Sequence, residues 1–533
     1  MNEHRLVHSK NPSLISFEQS FSSFIFVEER YGEENFAIRR LFSIARSHGA
    51  RTLMVEPIEP AGIISDENDE IKRYAADYEM KGLERLSFWR SPLATLGANT
   101  FPERDCVGYA ILKHDAVPSK GYDSWHVFEA VFEKYPDRHN CVPNPMKYSV
   151  LLGSGNVSLE GLLYAQQNTL NKACAQVALR SLISRIVLRD VSYREINDFA
   201  QRVPSQNFNP SNGLSVEQIQ AVLAGFRIHF RDIDYGSTDN EYRDHHPYQK
   251  HIYAGVESGA GALLGFHFTG PAVRMMESVE GRRAPRHIIP FYGHTFNQDT
   301  WMPEADMAYF RVGESLGYIP SENWTSSFLG HDDNFGPCFC VPRLYISNYK
   351  VDYVAELLKP GIRFGGVQAE VLALSFLYSV LNWVSQTDRF TQIGLPQNTW
   401  LQRLVYNAQH QSIILRAVAI DRDEYIRHLS ADKDWDQNIE DKSAINLLDG
   451  SPNALWVVEV SIPQLFPANE SKLGDIILNG EVALSDGHSS QAAFLIVRLP
   501  GCYFSAFSGP DFVTVPSRLT SHVPVIRLSE SSL

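Results

Sequence analysis

The chain has 533 residues, a formal charge of −14, and 44% hydrophobic and 21% charged residues. That length exceeds one ordinary core and points to roughly three domains of a globular protein. The negative balance argues against a phosphate-binding surface, and basic spots such as Arg282-Arg283 and Arg286 are too short to overrule it.

The first unit, residues 1–150, reads as mixed α/β. Met1-Asn2-Glu3-His4-Arg5 opens no signal peptide, because polar residues follow the charged start. Ser23-Phe24-Ile25-Phe26-Val27 is β-like, Phe36 to Ser47 has helical spacing, and Thr52-Leu53-Met54-Val55 is β-like again. Glu67 to Leu83 reads as a charged helix, Cys106 to Leu112 as a strand and Tyr148 to Leu152 as another. Pro143, Pro145 and Gly153 mark the first boundary.

The middle unit, residues 151–345, places helices first and strands later. Its first helix starts at Cys174 and runs to about Leu188, and a second spans Tyr193 to Arg202. A third starts at Ser215, with Gln218 completing a capping box. Strands are expected at His251 to Val256, Ala262 to Phe268, Arg286 to Tyr292 and Ser326 to Gly330. The last unit, 346–533, has a helix at Val367 to Gln386 and strands at Ala454 to Ile462, Ala492 to Val497 and Val523 to Leu528. Val371 to Val384 is the most apolar stretch; at about fourteen residues it falls short of the roughly 20 that span a bilayer. Asp432 to Asp441 reads as an exposed charged loop, and Ser529-Glu530-Ser531-Ser532 as a loose end.

Six scattered cysteines suit a reducing, cytoplasmic setting, and Cys338-Phe339-Cys340 is too tightly spaced for a zinc knuckle. Cys174 stands where a polar loop turns into a helix, and the positive end of the helix dipole favours a thiolate there. Gln167, seven positions earlier, could donate its side-chain amide to an oxyanion beside the sulfur. A cysteine nucleophile needs a base and the base needs an orienting group. His287, opening an apolar strand, is the better candidate base, and His294, just past the Gly293 turn, is its rival. Asp332 and Asp333 end the next strand. Adjacent strand residues point to opposite faces, so one of them is expected to face the site, with Asp332 slightly preferred and Asn297 and Asp299 as outsiders.

Other chemistry is less well supported. Asp244-His245-His246 with His251 comes nearest to a metal set, but His pairs in polar loops are more often solvated, so neither metal nor cofactor is expected. Gly255 to Gly265 lacks the Lys-Ser/Thr end of a phosphate loop. No Gly-x-Ser-x-Gly elbow occurs, and no stretch interleaves basic with aromatic residues as a nucleic-acid binder would.

The order of these features over residues 160 to 340 resembles the papain superfamily of cysteine peptidases, nearest to the bacteriocin-processing-peptidase branch and its stand-alone relatives. Gln167 and Cys174 match its Gln-loop-Cys-helix, although its glutamine more usually sits six residues before the cysteine, where this chain has Asn168. Gly213-Leu214-Ser215 matches a helix start and Gly259 to Gly265 a small-residue hairpin. His287 with Gly293, and Asp332-Asp333 before Gly336, match the histidine and aspartate strands. The segment from Gly293 to Asn323, carrying Asn297, Asp299, Trp301 and Glu304, is longer than the family's turn and would be a lid or substrate-binding insertion. The flanking regions resemble parts of large bacterial proteins of this type. The resemblance implies an α+β fold: a papain-like core, with a helical half followed by an antiparallel sheet, between N-terminal and C-terminal α/β-type domains. It implies a cytoplasmic thiol hydrolase cleaving a peptide or isopeptide bond through a thioester, with a protein or peptide as substrate and no membrane or nucleic acid involved. A small-molecule amidase or acyltransferase using the same Cys-His-Asp site, and a non-catalytic binding module, are the alternatives. The sequence is silent on oligomeric state.

Overall fold

The computed structural model describes residues 3–528 except 8, 10, 18–20, 33–34, 93–101, 134–139, 144, 154, 205–207, 268–285, 297–309, 313–315, 387–396, 431–445, 485–489, 506–511 and 518. Asn297, Asp299, Trp301 and Glu304 of the expected insertion lie outside the described residues, as do Arg282-Arg283, the stretch from Asp432 to Asp441 and the tail from Ser529.

The strands gather into three large sheets. The first takes β1 (Ser13–Ser16), β2 (Thr52–Pro57), β3 (Glu79–Trp89), β4 (Cys106–Val117), β5 (Tyr122–Glu133), β7 (Met146–Leu152) and β8 (Gly155–Tyr164), in the order β1-β2-β3-β4-β5-β8-β7. A short β6 (Asn140–Cys141) leaves this sheet to pair with the second. Every pair in the first sheet is antiparallel. Alternate residues of β2 enter different cores: Leu53 and Val55 join the core under α1 (Ser23–Tyr31) and α2 (Phe36–Ser47), and Met54 joins the core on the other side. The segment that reads as a strand from Ser23 is α1. Ser22 caps it by accepting from the Ile25 N–H at 3.3 Å, and Val27 and Tyr31, one turn apart, are its buried residues. The charged stretch from Glu67 is split between α3 (Ile63–Tyr74) and β3. The cut expected at residue 150 falls inside β7, so the first unit runs on to Tyr164.

The second sheet carries the candidate site. Ahead of it come α4 (Cys174–Val187), α5 (Tyr193–Ala200) and α6 (Val216–Gly225). The Ser215 capping box forms as expected: the Gln218 N–H donates to Ser215 Oγ, and the Ser215 N–H donates back to Gln218 Oε1 at 2.9 Å. The strands are β9 (Phe230–Asp234), β10 (Ala262–His267), β11 (Arg286–Phe296), β14 (Thr325–Asp332), β15 (Gly336–Pro342) and β16 (Val351–Leu357), ordered β15-β14-β11-β10-β16-β9 and antiparallel throughout. The expected strand from His251 is instead α8 (Tyr248–Glu257), which follows a short α7 (Asn240–His245). All ten residues of α8 are buried, so no polar face marks a helical period in its sequence. The sheet is sandwiched. Leu263, Ile288 and Ala355 pack with Val177, Leu179, Leu182 and Ile183 of α4, and Leu264, Ile289 and Val354 pack with Ile252 and Val256 of α8. Full burial of each such side chain contributes about 1.5–3 kcal/mol, so packing rather than helix propensity holds α4 in place.

The third sheet crosses the boundary expected at 345. It begins with β12 (Phe310–Val312) and β13 (Leu316–Pro320) from the middle of the chain. It continues through β17 (Ile414–Asp421), β18 (Ala454–Ser461), β20 (Gly474–Asn479), β21 (Phe494–Leu499), β22 (Cys502–Ser505) and β23 (Val513–Pro516); β19 (Ser471–Lys472) lies outside it. β13 and β17 run parallel, and the other pairs are antiparallel. The whole is α+β, as expected, and the flanking units expected to be α/β-type are built on largely antiparallel sheets. The helix α9 (Gly366–Gln386) is longer than the fourteen-residue apolar stretch and is, by length and composition, long enough to cross a membrane. Its Ala373, Leu374, Leu377 and Val380 are buried in the core of this third sheet, against Trp456 and Val458 among others.

Candidate active site

Helix α4 begins at Cys174 because the preceding loop, 168–173, cannot continue a helix. Asn168 folds it into a turn, accepting from the N–H groups of Leu170 and Asn171. Ala173 is the N-cap and offers no side-chain acceptor, so the only side-chain cap at this helix start is Gln176, whose Oε1 accepts from the Ala173 N–H at 3.2 Å. The loop is tied down by Lys172, which is fully buried and pairs with Glu67 of α3 at 2.8 Å.

His287 lies near the start of β11, opposite Phe266 of β10, whose ring meets the imidazole edge-on. Cys174 and Asp332 both reach it by side-chain hydrogen bonds, and His287 Nε2 lies 3.0 Å from Asp332 Oδ2. Asp332 is held by the hairpin that joins β14 to β15: its Oδ1 accepts from the N–H groups of Asn334 and Phe335 at 2.9 and 3.0 Å. The expectation that only one aspartate faces the histidine does not hold. Asp333 Oδ1 also lies 3.5 Å from His287 Nε2. Strand alternation ends at Asp332, the last residue of β14, and Asp333 belongs to the turn.

The electrostatics follow from burial and these partners. Burial would depress the imidazole, but the hydrogen bonds to Asp332 and Cys174 and the charges of the two aspartates outweigh it, and His287 is pushed up to about 10. Burial would raise Asp332, yet the bond and charge of His287 and the two backbone N–H groups hold it below the ordinary carboxylate range. Burial pushes Asp333 up to about 7, with His287 opposing and Asp332 adding to the rise.

The rival base is engaged elsewhere. His294 Nε2 lies 2.6 Å from Glu257 Oε1 of α8, and Glu257 also pairs with Arg416 of β17, so this histidine joins the second sheet to the third. Gln167 reaches the aspartate turn. Its Nε2 donates to Asn334 Oδ1 at 2.7 Å, next to the aspartate turn. Asn168, at the offset the family favours, is buried in the loop turn described above. Gln167 also lines a cleft of about 540 Å³ whose other walls include Tyr31, His114 and Trp125 of the first unit.

Neither a family model, nor a curated protein, nor a solved structure matches this chain.

Of the sequence candidates, Cys174, His287, Asp332 and Asp333 converge, Gln167 touches Asn334 of the aspartate turn, and His294 is engaged elsewhere. The metal set considered at Asp244-His245-His246 and His251 does not assemble among the described residues: His246 stacks on Tyr242, and His251 lies 3.6 Å from Glu356. Sequence reasoning missed Asn334, which joins the glutamine to the aspartate turn, and Lys172, which anchors the cysteine loop. A lysine one residue before an alanine N-cap is the only sequence trace of the latter.

Proposed function

We propose that the chain is a thiol hydrolase acting on a peptide or isopeptide bond, of the papain-like kind. The observation that carries this reading is the contact of Cys174 with an imidazole that is itself held by a buried carboxylate. Nε2 is taken up by the aspartates, so proton exchange with sulfur falls to Nδ1. Cys174 Sγ attacks the carbonyl carbon, forming the C–S bond as the carbonyl π pair moves to oxygen. The Cys174 N–H and the Gln167 amide stabilise that oxyanion. One Gln167 N–H is bonded to Asn334, and a primary amide carries two, so a second is left for this task. The protonated His287 gives its proton to the departing amine as the C–N bond breaks. Water, deprotonated by His287, then cleaves the thioester to a carboxylic acid and restores the thiol.

The test is alkylation by iodoacetamide at pH 6, mapped peptide by peptide, with Cys174→Ala as the blank. A free thiol is about 0.3% thiolate at that pH. Cys174 is expected to react at least tenfold faster than a model peptide thiol, and His287→Ala is expected to remove most of the excess. Equal rates for Cys174 and the peptide would sink the reading. Incubating the chain with a peptide library, with and without added amine, then separates a hydrolase, which needs no amine, from an acyltransferase.

A further inference from the structure

Three clusters of acid and histidine side chains are packed tightly enough to hold an ion among the described residues. Two carry cations of their own. Glu67, Asp115 and His126 surround Lys113 and are joined by Lys172, and His4, Glu129 and Asp190 surround Arg5, with Arg180 also on Glu129. The third is His287, Asp332 and Asp333, and no lysine or arginine forms an ion pair with either of its aspartates among the described residues. Asp333 is 4% exposed and both its carboxylate oxygens are shielded from solvent, with only its own N–H and the imidazole, 3.5 Å from Oδ1, to answer them among the described residues. A buried carboxylate so thinly answered has room for a further, cationic partner.

The geometry points to a divalent transition metal, of the zinc class, held by His287 Nε2, Asp332 Oδ2 and Asp333 Oδ1. At metal–ligand bonds of about 2.1 Å, the ligand atoms of a tetrahedral site lie about 3.4 Å from one another. The nitrogen here lies 3.0 and 3.5 Å from the two oxygens, and all three atoms lie within 4.8 Å of one another. One imidazole and two carboxylates are ligands that zinc accepts, and a fourth position remains for water. Asp332 Oδ1 stays with its two backbone N–H groups and orients the ligand. Cys174 is outside the set: its sulfur is not among the clustered ligand atoms. Binding replaces the Nε2 proton, which leaves with solvent, and the imidazole can no longer become an imidazolium. Bound metal is therefore an off-switch for the thiol, and this consequence rests on the thiol-hydrolase reading, whereas the site itself does not.

The experiment uses the full chain, freed of metal by a chelator. Zn2+ binding is followed by calorimetry, Co2+ binding by its visible spectrum, and Cys174 alkylation is measured with and without Zn2+. One Zn2+ is expected to bind, to slow Cys174 alkylation at least tenfold, and to be reversed by chelation. Co2+ should show tetrahedral visible bands without a thiolate charge-transfer band. Asp333→Asn should weaken Zn2+ at least tenfold, and Cys174→Ser should bind it as the parent does. Should Asp333→Asn fail to fold, the Co2+ spectrum of the parent and of Cys174→Ser decides alone. Equal Zn2+ affinity in Asp333→Asn, a thiolate band, or loss of binding in Cys174→Ser would overturn the site. Zn2+ bound by Asp333 beside a Cys174 that is inert in both states would overturn the hydrolase reading and leave the site standing.

Discussion

At the scale of single residues, the unusual feature is one imidazole nitrogen shared by two buried carboxylates. The histidine is consequently held in its protonated form far above its ordinary range, to about 10. A base raised in this way adds stability that is fully present below about pH 6.5, its unfolded value, and is lost as pH rises through about 10. NMR of the labelled ring in the metal-free chain should show a titration midpoint near pH 10, and Asp332→Asn should lower it. A midpoint unchanged in Asp332→Asn would remove that carboxylate from the account. The same substitution should slow turnover roughly 10²–10⁴-fold, read as kcat/KM once a substrate is found. Much of this site is legible in the sequence, because a cysteine at a helix start and a histidine at a strand start are local signals. Asp333 is not legible as a second partner. Alternation predicts that it points away, and only the turn after β14 brings it back.

At the scale of elements, the nucleophile and its base are brought together by the packing of α4 against β11, and that packing passes through Gly261. The residue has φ +87, and a Cβ there would lie 2.7 Å from Phe291 O of β11 and 2.8 Å from Leu182 Cδ2 of α4. Gly261→Ala therefore strains the backbone and wedges the two elements apart, at a cost of about 1–3 kcal/mol or more. It should lower the denaturation midpoint and also slow Cys174 alkylation, whereas a merely local loop effect would leave the alkylation rate unchanged. The elements most legible in the sequence are those with one wet face, such as α2 and the capped α6. Those misread are α1, whose start depends on the Ser22 cap, and α8, which is apolar or satisfied on every side. In both, aromatic and β-branched residues imitate a strand, and tertiary burial decides otherwise.

At the scale of the molecule, the three units are joined by buried charge. Lys172 meets Glu67 and Arg180 of α4 meets Glu129 of β5, tying the nucleophile helix to the first sheet. Arg416 meets Glu257, and Lys250 meets Glu370 of α9, tying α8 to the third. Boundaries read from proline and glycine miss this, because charged residues in a sequence look like surface. Removing one partner of such a pair strands the other in a dry interior. Lys172→Met takes one of two lysines from Glu67, which keeps Lys113, so it should cost about 1–3 kcal/mol, measured by chemical denaturation, and slow Cys174 alkylation as the loop loosens. A fully stable variant with a normal rate would show that Lys172 plays no anchoring part.

Arg180 carries the longest consequence. It sits in the middle of the helix that begins with the nucleophile, 1% exposed, donating to Glu129 Oε2 at 3.0 Å and to the carbonyl of Phe128. A segment with that guanidinium at its centre is fully answered only with that strand beside it, although the Val191 carbonyl accepts from it too. A helix moved into another protein without β5 would keep the Val191 carbonyl for that guanidinium but lose the carboxylate and the Phe128 carbonyl that answer it from the first sheet.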